Sequence, residues 1–459
     1  MADSAQGAAA VKTWPHHFPG LRAAAVVAVV VAVAACTEVG PDYVRPSTQV
    51  PAAYKEAGPR DAGAPIARRW WTVYRDPVLD GLMSQVQLGN QSLAAAAARV
   101  SEAQALVRVA SGAADPQVGI GTLKSGRKNE NDFGVGVSWE LDLWGRVRRD
   151  VEAHRATAEA SAADLAAATL SMQAQVAQAY FALRADDALA GFLQRASDTD
   201  AQWQRMVQNQ HAQGVASSAQ VAAALLRRTT VQLQLADTRT QRAQLEHAIA
   251  VMLGKQPEAF AIAPAPFDTN VPTVPAGLPA TLLERRPDVL ASERRMAAAS
   301  ARIGVSKAET LPSISLAAGI GVLKGPTATA DVHAPLFTGG RLHAQVDNAR
   351  AAYTEAVANY RQTVLDAFRE VEDGLVAANA LAGNAALQAK AAAAAKESAR
   401  VVHNQYREGV ADYSDVVDAM GSALDAERAD LQLRQRRLDA SVNLIKALGG
   451  GWQPDAGHP

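Results

Sequence analysis

The feature that most constrains this chain is that it is written twice. NQHAQGVASSAQVAAA, residues 209–224, returns as NQYREGVADYSDVVDA, residues 404–419. Gly145-Arg146 matches Gly340-Arg341, and Leu253-Gly254 matches Leu448-Gly449, at one offset: 340 − 145 = 449 − 254 = 195. A register held without insertion over that span indicates a duplicated structural unit, because packed elements of fixed length tolerate no gap. The second turn is the acidic one: it carries Asp412, Asp415 and Asp418 where the first has Ser217, Gln220 and Ala223.

Proline is absent between Pro116 and Pro257 and again between Pro335 and Pro454. Such runs permit uninterrupted helices, since an interior proline removes a hydrogen bond and clashes with the preceding turn. In the second copy Leu342, Val346, Ala349, Tyr353, Ala356, Tyr360, Val364, Phe368, Val371 and Leu375 recur mostly at spacings of four and three. Val147, Val151, His154, Ala158, Ser161, Leu165, Ala168, Met172, Val176 and Leu183 keep the same phase in the first. That is a coiled-coil-like seam of unusually small residues. A helix from Arg146 to near Asn209 would be about 95 Å long. Beyond the Gly-Val turns, second helices are expected from near Ser218 to Leu253 and from near Asp415 to Leu448. Ser217 with Gln220 fits a capping box, and Asp412 with Asp415 takes the matching places. Asp76-Pro77 and Arg286-Pro287-Asp288 put proline where shorter helices begin.

Ahead of each long helix the period changes from helical to two. In FGVGVSWEL, Phe133, Val135, Val137, Trp139 and Leu141 share one face and Gly134, Gly136, Ser138 and Glu140 the other. ISLAAGIGV, residues 314–322, alternates likewise, and weaker alternation in QVGIGTLK and TATADVHAPLF completes two hairpins. Strands of this length, apolar on one side and small or polar on the other, suit a membrane barrel. Four strands cannot close one, and open edges in lipid leave costly unpaired backbone. The strands are therefore expected to be shared between chains, three chains giving twelve; a soluble bundle capped by hairpins is the alternative.

Lys12 and Arg22 precede an apolar run from Ala23 to Ala35, too short to span a bilayer but fit for a signal-peptide core. It ends Val33-Ala34-Ala35-Cys36, at the only cysteine of the chain. This resembles a lipobox and makes Cys36 the expected lipidation site. One cysteine allows no internal disulfide. Lys plus Arg number 45 against 46 acids, interleaved, so no basic stripe exists for nucleic acid. The nine His form no HExxH or Cys/His cluster, which leaves no motif for a metal or other cofactor, and no GxSxG elbow appears. The segments expected are a signal peptide at 1–35 and a lipidated extended stretch at 36–75. A first repeat at 76–256 holds a hairpin at 116–143, and a Pro-rich linker follows at 257–280. A second repeat at 281–450 holds a hairpin at 312–338, and a tail ends the chain at 451–459.

CTEVGPDYVRP after Cys36, WWTVYRDPVLDGLMSQVQLGN, LLERRPDVLASERRMAAASARIGVSKAETLPSISL, WELDLWGR with its echo PLFTGGR, and YREGVADYSDVVDA together resemble the outer-membrane efflux channels of Gram-negative bacteria. The resemblance is to TolC-like channels, of the lipoprotein type called NodT-like. It implies a mainly α fold with a β membrane part: a homotrimer of long antiparallel helices forming an α-barrel, with four strands per chain in a shared twelve-stranded β-barrel. It implies export without catalysis, in partnership with a periplasmic adaptor, an inner-membrane transporter of the resistance-nodulation-division type, and outer-membrane lipid. The turns at Gly214, Val215, Arg407, Gly409 and Val410 would contact the adaptor, and Asp415 and Asp418 would form acidic rings at the periplasmic gate. Asp415 also suits a helix N-terminus without any gating role, and both readings stand. Some members lock the mouth with an Asp and an Arg where this chain has Gln220 and Ala411, so that salt bridge cannot form here. A duct for protein or peptide secretion and a pore-free lipoprotein scaffold are the competing functions.

Overall fold

The computed structural model describes residues 38–47, 50–56, 66–125, 130–275, 277, 279–322 and 325–453. The signal run and Cys36 lie outside the described residues, as do 126–129 and 323–324 at the hairpin tips. After a short 3-10 turn at Trp70–Tyr74 come helices α1 (Pro77–Gly89) and α2 (Gln91–Gly112), and strands β1 (Gln117–Ser125) and β2 (Glu130–Leu141). Long helices α3 (Arg146–Ala212) and α4 (Ser218–Met252) follow, then α5 (Pro279–Arg285) and α6 (Pro287–Ala308). Strands β3 (Ser313–Gly321) and β4 (Gly325–His333) lead into α7 (Arg341–Arg407) and α8 (Tyr413–Ala447).

The duplication is expressed in element length. Helices α3 and α7 are both 67 residues long, and α4 and α8 both 35. Asp76 starts α1 as expected, its carboxylate accepting from the N–H groups of Val78 and Leu79 with proline at the first helical position. No helix among the described residues is long and apolar enough to cross a membrane.

Two compact units cut across both copies. Among the described residues, one takes Glu38–Asp42, Val109–Glu152 and Ser300–Arg350, and the other draws on Tyr43–Arg108, Ala153–Ala299 and Ala351–Gln453. In the first, the strands form one antiparallel sheet ordered β1-β2-β3-β4. The hairpins join through β2 and β3, with Gly134 opposite Gly321 and Leu141 opposite Ile314. The register sets Gly119, Gly136 and Gly319 in one row and Val118, Val137 and Ala318 in the next, so each face keeps its character across the sheet. Val118, Ile120, Phe133, Ile320 and Val332 on the apolar face are exposed. Arg149, almost fully buried, holds the N-terminal segment to this unit through Glu38 at 3.2 Å and Asp42 at 2.6 Å, with Glu152 at 2.7 Å.

The second unit holds the helical cores. Trp70, Tyr74, Leu79, Met83, Tyr180, Phe181, Ile249 and Leu438 form one. Met296, Tyr360, Val364, Val371, Leu375 and Leu444 belong to another. Fully burying each such side chain contributes about 1.5–3 kcal/mol. The expected seam of the second copy is where the burial lies: Tyr360, Val364, Val371 and Leu375 are buried, with Tyr353, Ala356 and Phe368 packed beside them. In the first copy the seam holds at Val147, Val176 and Leu183, which are buried, and departs between them. Ala158, Ser161 and Leu165 are only partly buried, whereas Ala156, Ala160 and Ala163 are buried. Ala156 packs on Ala297 and Ala298 of α6, small side chains that suit a close approach of two helices. A hydrophobicity pattern gives weight to Val and Leu and misses an alanine face.

Candidate functional site

The expected site residues collect where the four long helices turn. Both turns end a helix the same way. Val215 N–H donates to Gln210 O at 2.8 Å and Gly214 N–H to His211 O at 2.9 Å; Val410 and Gly409 repeat this to Gln405 O at 2.8 Å and Tyr406 O at 3.0 Å. This is the Schellman pattern, which places the glycine in the left-handed region. Gly214 and Gly409 both have φ +77°. Val215 and Val410 are thereby pushed outward and are 74% and 75% exposed. Arg407, the last residue of α7, is exposed beside them.

The next helices start from matched caps. In the first copy Ser217 Oγ accepts from Gln220 N–H at 3.2 Å, and Gln220 Oε1 accepts from Ser217 N–H at 2.9 Å. In the second the Asp415 carboxylate accepts from Asp412 N–H at 3.0 Å. Asp415 thus has a capping partner within its own chain. Asp418, nearly a turn deeper, is exposed, and its backbone carbonyl accepts from Ser422 Oγ at 3.0 Å.

Behind the turns lies a cluster the sequence did not announce. Trp203 of α3 sits edge-on to His403 at 5.0 Å and packs at an angle on Tyr406 at 5.4 Å and Tyr413 at 6.0 Å. With Val207, Ala216, Ala224 and Val416 these rings make a small core joining the ends of both copies. The Tyr406 hydroxyl donates to Gln210 at 2.8 Å, tying α7 to α3. Burial pushes the Tyr413 hydroxyl up to about 12. A buried ion pair stands next to the rings. Arg227 Nε donates to Asp200 at 3.0 Å, their side chains 10% and 2% exposed, and Arg227 also reaches Val417 O at 3.4 Å. Burial raises the Asp200 carboxyl and Arg227 pulls it back, with the net shift upward. The other oxygen of Asp200 is buried without a partner among the described residues. Trp203 and Asp200 lie on α3, far in sequence from Tyr406, Tyr413 and Arg227, and no sequence signal joins them.

The arrangement positions groups: an exposed Val at each turn tip, an exposed acid inside the second helix start, and a buried core that fixes one hairpin against the other. Comparison with known proteins gives this a context. The chain is 30% identical over 437 residues to the pyoverdine export outer membrane protein OpmQ of Pseudomonas aeruginosa, covering 88% of this chain and 91% of that protein. It is 30% identical over 452 residues to the toluene efflux pump outer membrane protein TtgC of Pseudomonas putida, covering 91% and 93%. The solved structure of the outer-membrane channel OprN superimposes with a TM-score of 0.83 at 28% identity, over 91% of this chain and 100% of that one. The model of the family described as outer membrane efflux protein matches residues 82–255 and again 278–450, one match for each copy of the repeat, and the chain belongs to that family.

Proposed function

We propose that this protein is the outer-membrane channel of a tripartite efflux system. It exports drugs or other small amphipathic compounds, works with a periplasmic adaptor and an inner-membrane pump of the resistance-nodulation-division type, and catalyses no reaction. The observation that carries the reading is the pairing of duplicated helical hairpins of 67 and 35 residues with a four-stranded sheet whose outer strands, β1 and β4, are open. In lipid such edges must be satisfied. Three chains closing a twelve-stranded barrel do so, and bring their helices into one tube. Small-molecule cargo is supported by the relatives, whose names specify pyoverdine and toluene.

Within this reading Cys36 carries the lipid anchor after removal of residues 1–35, and segments 76–256 and 281–450 are the two repeats joined by a linker at 257–280. Gly214, Val215, Arg407, Gly409 and Val410 are the adaptor contacts; the exposure of both valines supports that role. Asp418 lines the periplasmic passage, where three copies in a narrow low-dielectric ring attract cations. Asp415 is chiefly a cap. The test is deletion of the gene in a strain that expresses the cognate pump and lacks a redundant channel. Sensitisation to at least one exported compound, reversed by complementation, is expected; unchanged susceptibility across a broad panel refutes the function.

A further inference from the structure

The groove between α7 and α8 holds a charged group that the fold leaves unanswered. Its volume is about 540 Å³, and its lining includes the apolar Ala377 and Leu381 of α7 and Ala440 of α8, with Arg436, Asp439 and Lys446 beside them on α8. One oxygen of the Asp439 carboxylate is buried and meets no donor among the described residues. The other acids of the groove are engaged: Glu370 is held by Arg286 at 2.7 Å and Asp373 by Arg369 at 3.2 Å. Arg436 and Lys446 form no ion pair among the described residues, with Asp439 or any other acid. A buried carboxylate without a partner costs stability. In a largely apolar cleft it is the kind of group that meets a ligand.

The covered and uncovered sides of the two helices decide where the groove looks. Leu438, Val442 and Ile445 of α8 pack in one core with Trp70, Tyr74 and Leu79, and Arg434 donates to Phe267 O at 2.7 Å. The 3-10 turn, α1 and the inter-repeat linker therefore coat that side of α8. At about 100° per residue, Ala440, Asn443 and Ala447 fall on the opposite side. On α7, Val364, Val371 and Leu375 share a core with Leu282 of α5, and Asp373 and Ala377 fall away from it. Short elements laid over one face of long helices belong outside a tube, because inside they would fill it. The groove lies on the uncovered face, the one that lines a passage.

Resting on the channel reading above, we propose that this groove is a cargo subsite for zwitterionic amphipathic compounds: a cationic donor of the cargo meets Asp439, its anionic group meets Arg436 or Lys446, and its apolar body lies on Ala377, Leu381 and Ala440. The charges select the class. A compound that is only cationic is repelled by the two unpaired cations, and one that is only anionic leaves Asp439 buried and unpaired. The volume falls in the range of small-molecule sites, about 300–1,000 Å³. An open groove also suits transport, where binding must be favourable enough to enter and weak enough to leave.

Three fluorescent probes with one apolar body separate the classes. Nε-dansyl-lysine carries both charges, dansylcadaverine only the ammonium, and 6-(dansylamino)hexanoate only the carboxylate. Titrated into the detergent-solubilised full-length protein near neutral pH, with empty micelles subtracted, the zwitterion should bind about tenfold or more tighter than either of the others. Asp439→Asn keeps the shape of the side chain and should weaken the zwitterion about tenfold. Ala377→Phe keeps every charge, fills the groove and should abolish saturable binding. Conductance of the wild-type protein in planar bilayers is measured alongside. In a protein that conducts, equal affinity for Asp439→Asn and wild type, or tighter binding of a singly charged probe, overturns the subsite and leaves the channel reading intact. Wild-type protein that never conducts overturns the channel reading, and the cargo role with it, whatever it binds.

Discussion

Replacing Arg227 by Met isolates what the buried pair behind the turns does. The variant removes the guanidinium 3.0 Å from Asp200 while keeping a long apolar stem, and leaves a carboxylate whose side chain is 2% exposed. An uncompensated buried charge costs about 3–5 kcal/mol, whereas an intact pair exchanged for neutral groups of similar volume costs little. Arg227→Met should therefore destabilise the helix ends by about that amount, and Asp200→Asn with Arg227→Met should recover most of it. The pH dependence has a defined sign. Asp200 is held above the ordinary carboxylate range by burial, and loss of Arg227 raises it further. A carboxyl with a raised folded pKa penalises the native state when ionised, and the penalty fades as pH falls through that pKa toward the unfolded value. The deficit of Arg227→Met should be full at pH 8 and shrink on acidification. Hydrogen exchange over residues 200–230 and 400–420 of the detergent-solubilised protein reads the opening free energy locally. A single variant that loses less than about 1 kcal/mol, or a double variant no better than the single, refutes the claim that the pair is a buried, mutually dependent unit.

Gly214→Ala and Gly409→Ala should each cost about 1–2 kcal/mol from forcing a side-chain residue into the left-handed region. Neither added Cβ meets a neighbour within 4 Å, so exchange should quicken at the turn alone. Asp439, pushed up to about 6 by burial, has an oxygen without a partner among the described residues. Asp439→Asn should raise stability by up to about 3 kcal/mol at pH 8, less for residual solvent contact, and by little at pH 4; thermal melts at the two pH values check it. In planar bilayers Asp418→Asn should shift the reversal potential toward lower cation selectivity. Asp415→Asn should leave that potential in place and cost about 0.5–1 kcal/mol of helix start.

Much of the site was legible because it is local. The Gly-Val turns, the Ser217–Gln220 box and the partnership of Asp415 with Asp412 depend on residues within one turn of each other, and spacing alone specifies them. Trp203 against Tyr406 and Tyr413, and Asp200 with Arg227, depend on how four helices align, which no single-helix period encodes. The middle of the first-copy seam departs for a related reason. Ala156 is buried because α6 lies on it, and alanine's weak hydrophobicity does not mark which of its faces a neighbour will choose.

What the sequence determined by itself was the plan: two copies in strict register, helices without proline, strands alternating apolar and small, and a chain with too few strands to close a barrel. These are consequences of backbone geometry, period and duplication, and they are written one residue after another. Only the tertiary structure decided how the copies combine. It joined the hairpins through β2 and β3, assembled each compact unit from pieces of both repeats, and set β1 and β4 at the edges of the sheet. The physical reason is that long-range pairing is selected by packing and by satisfaction of backbone polar groups in three dimensions, and those terms have no value until the segments meet.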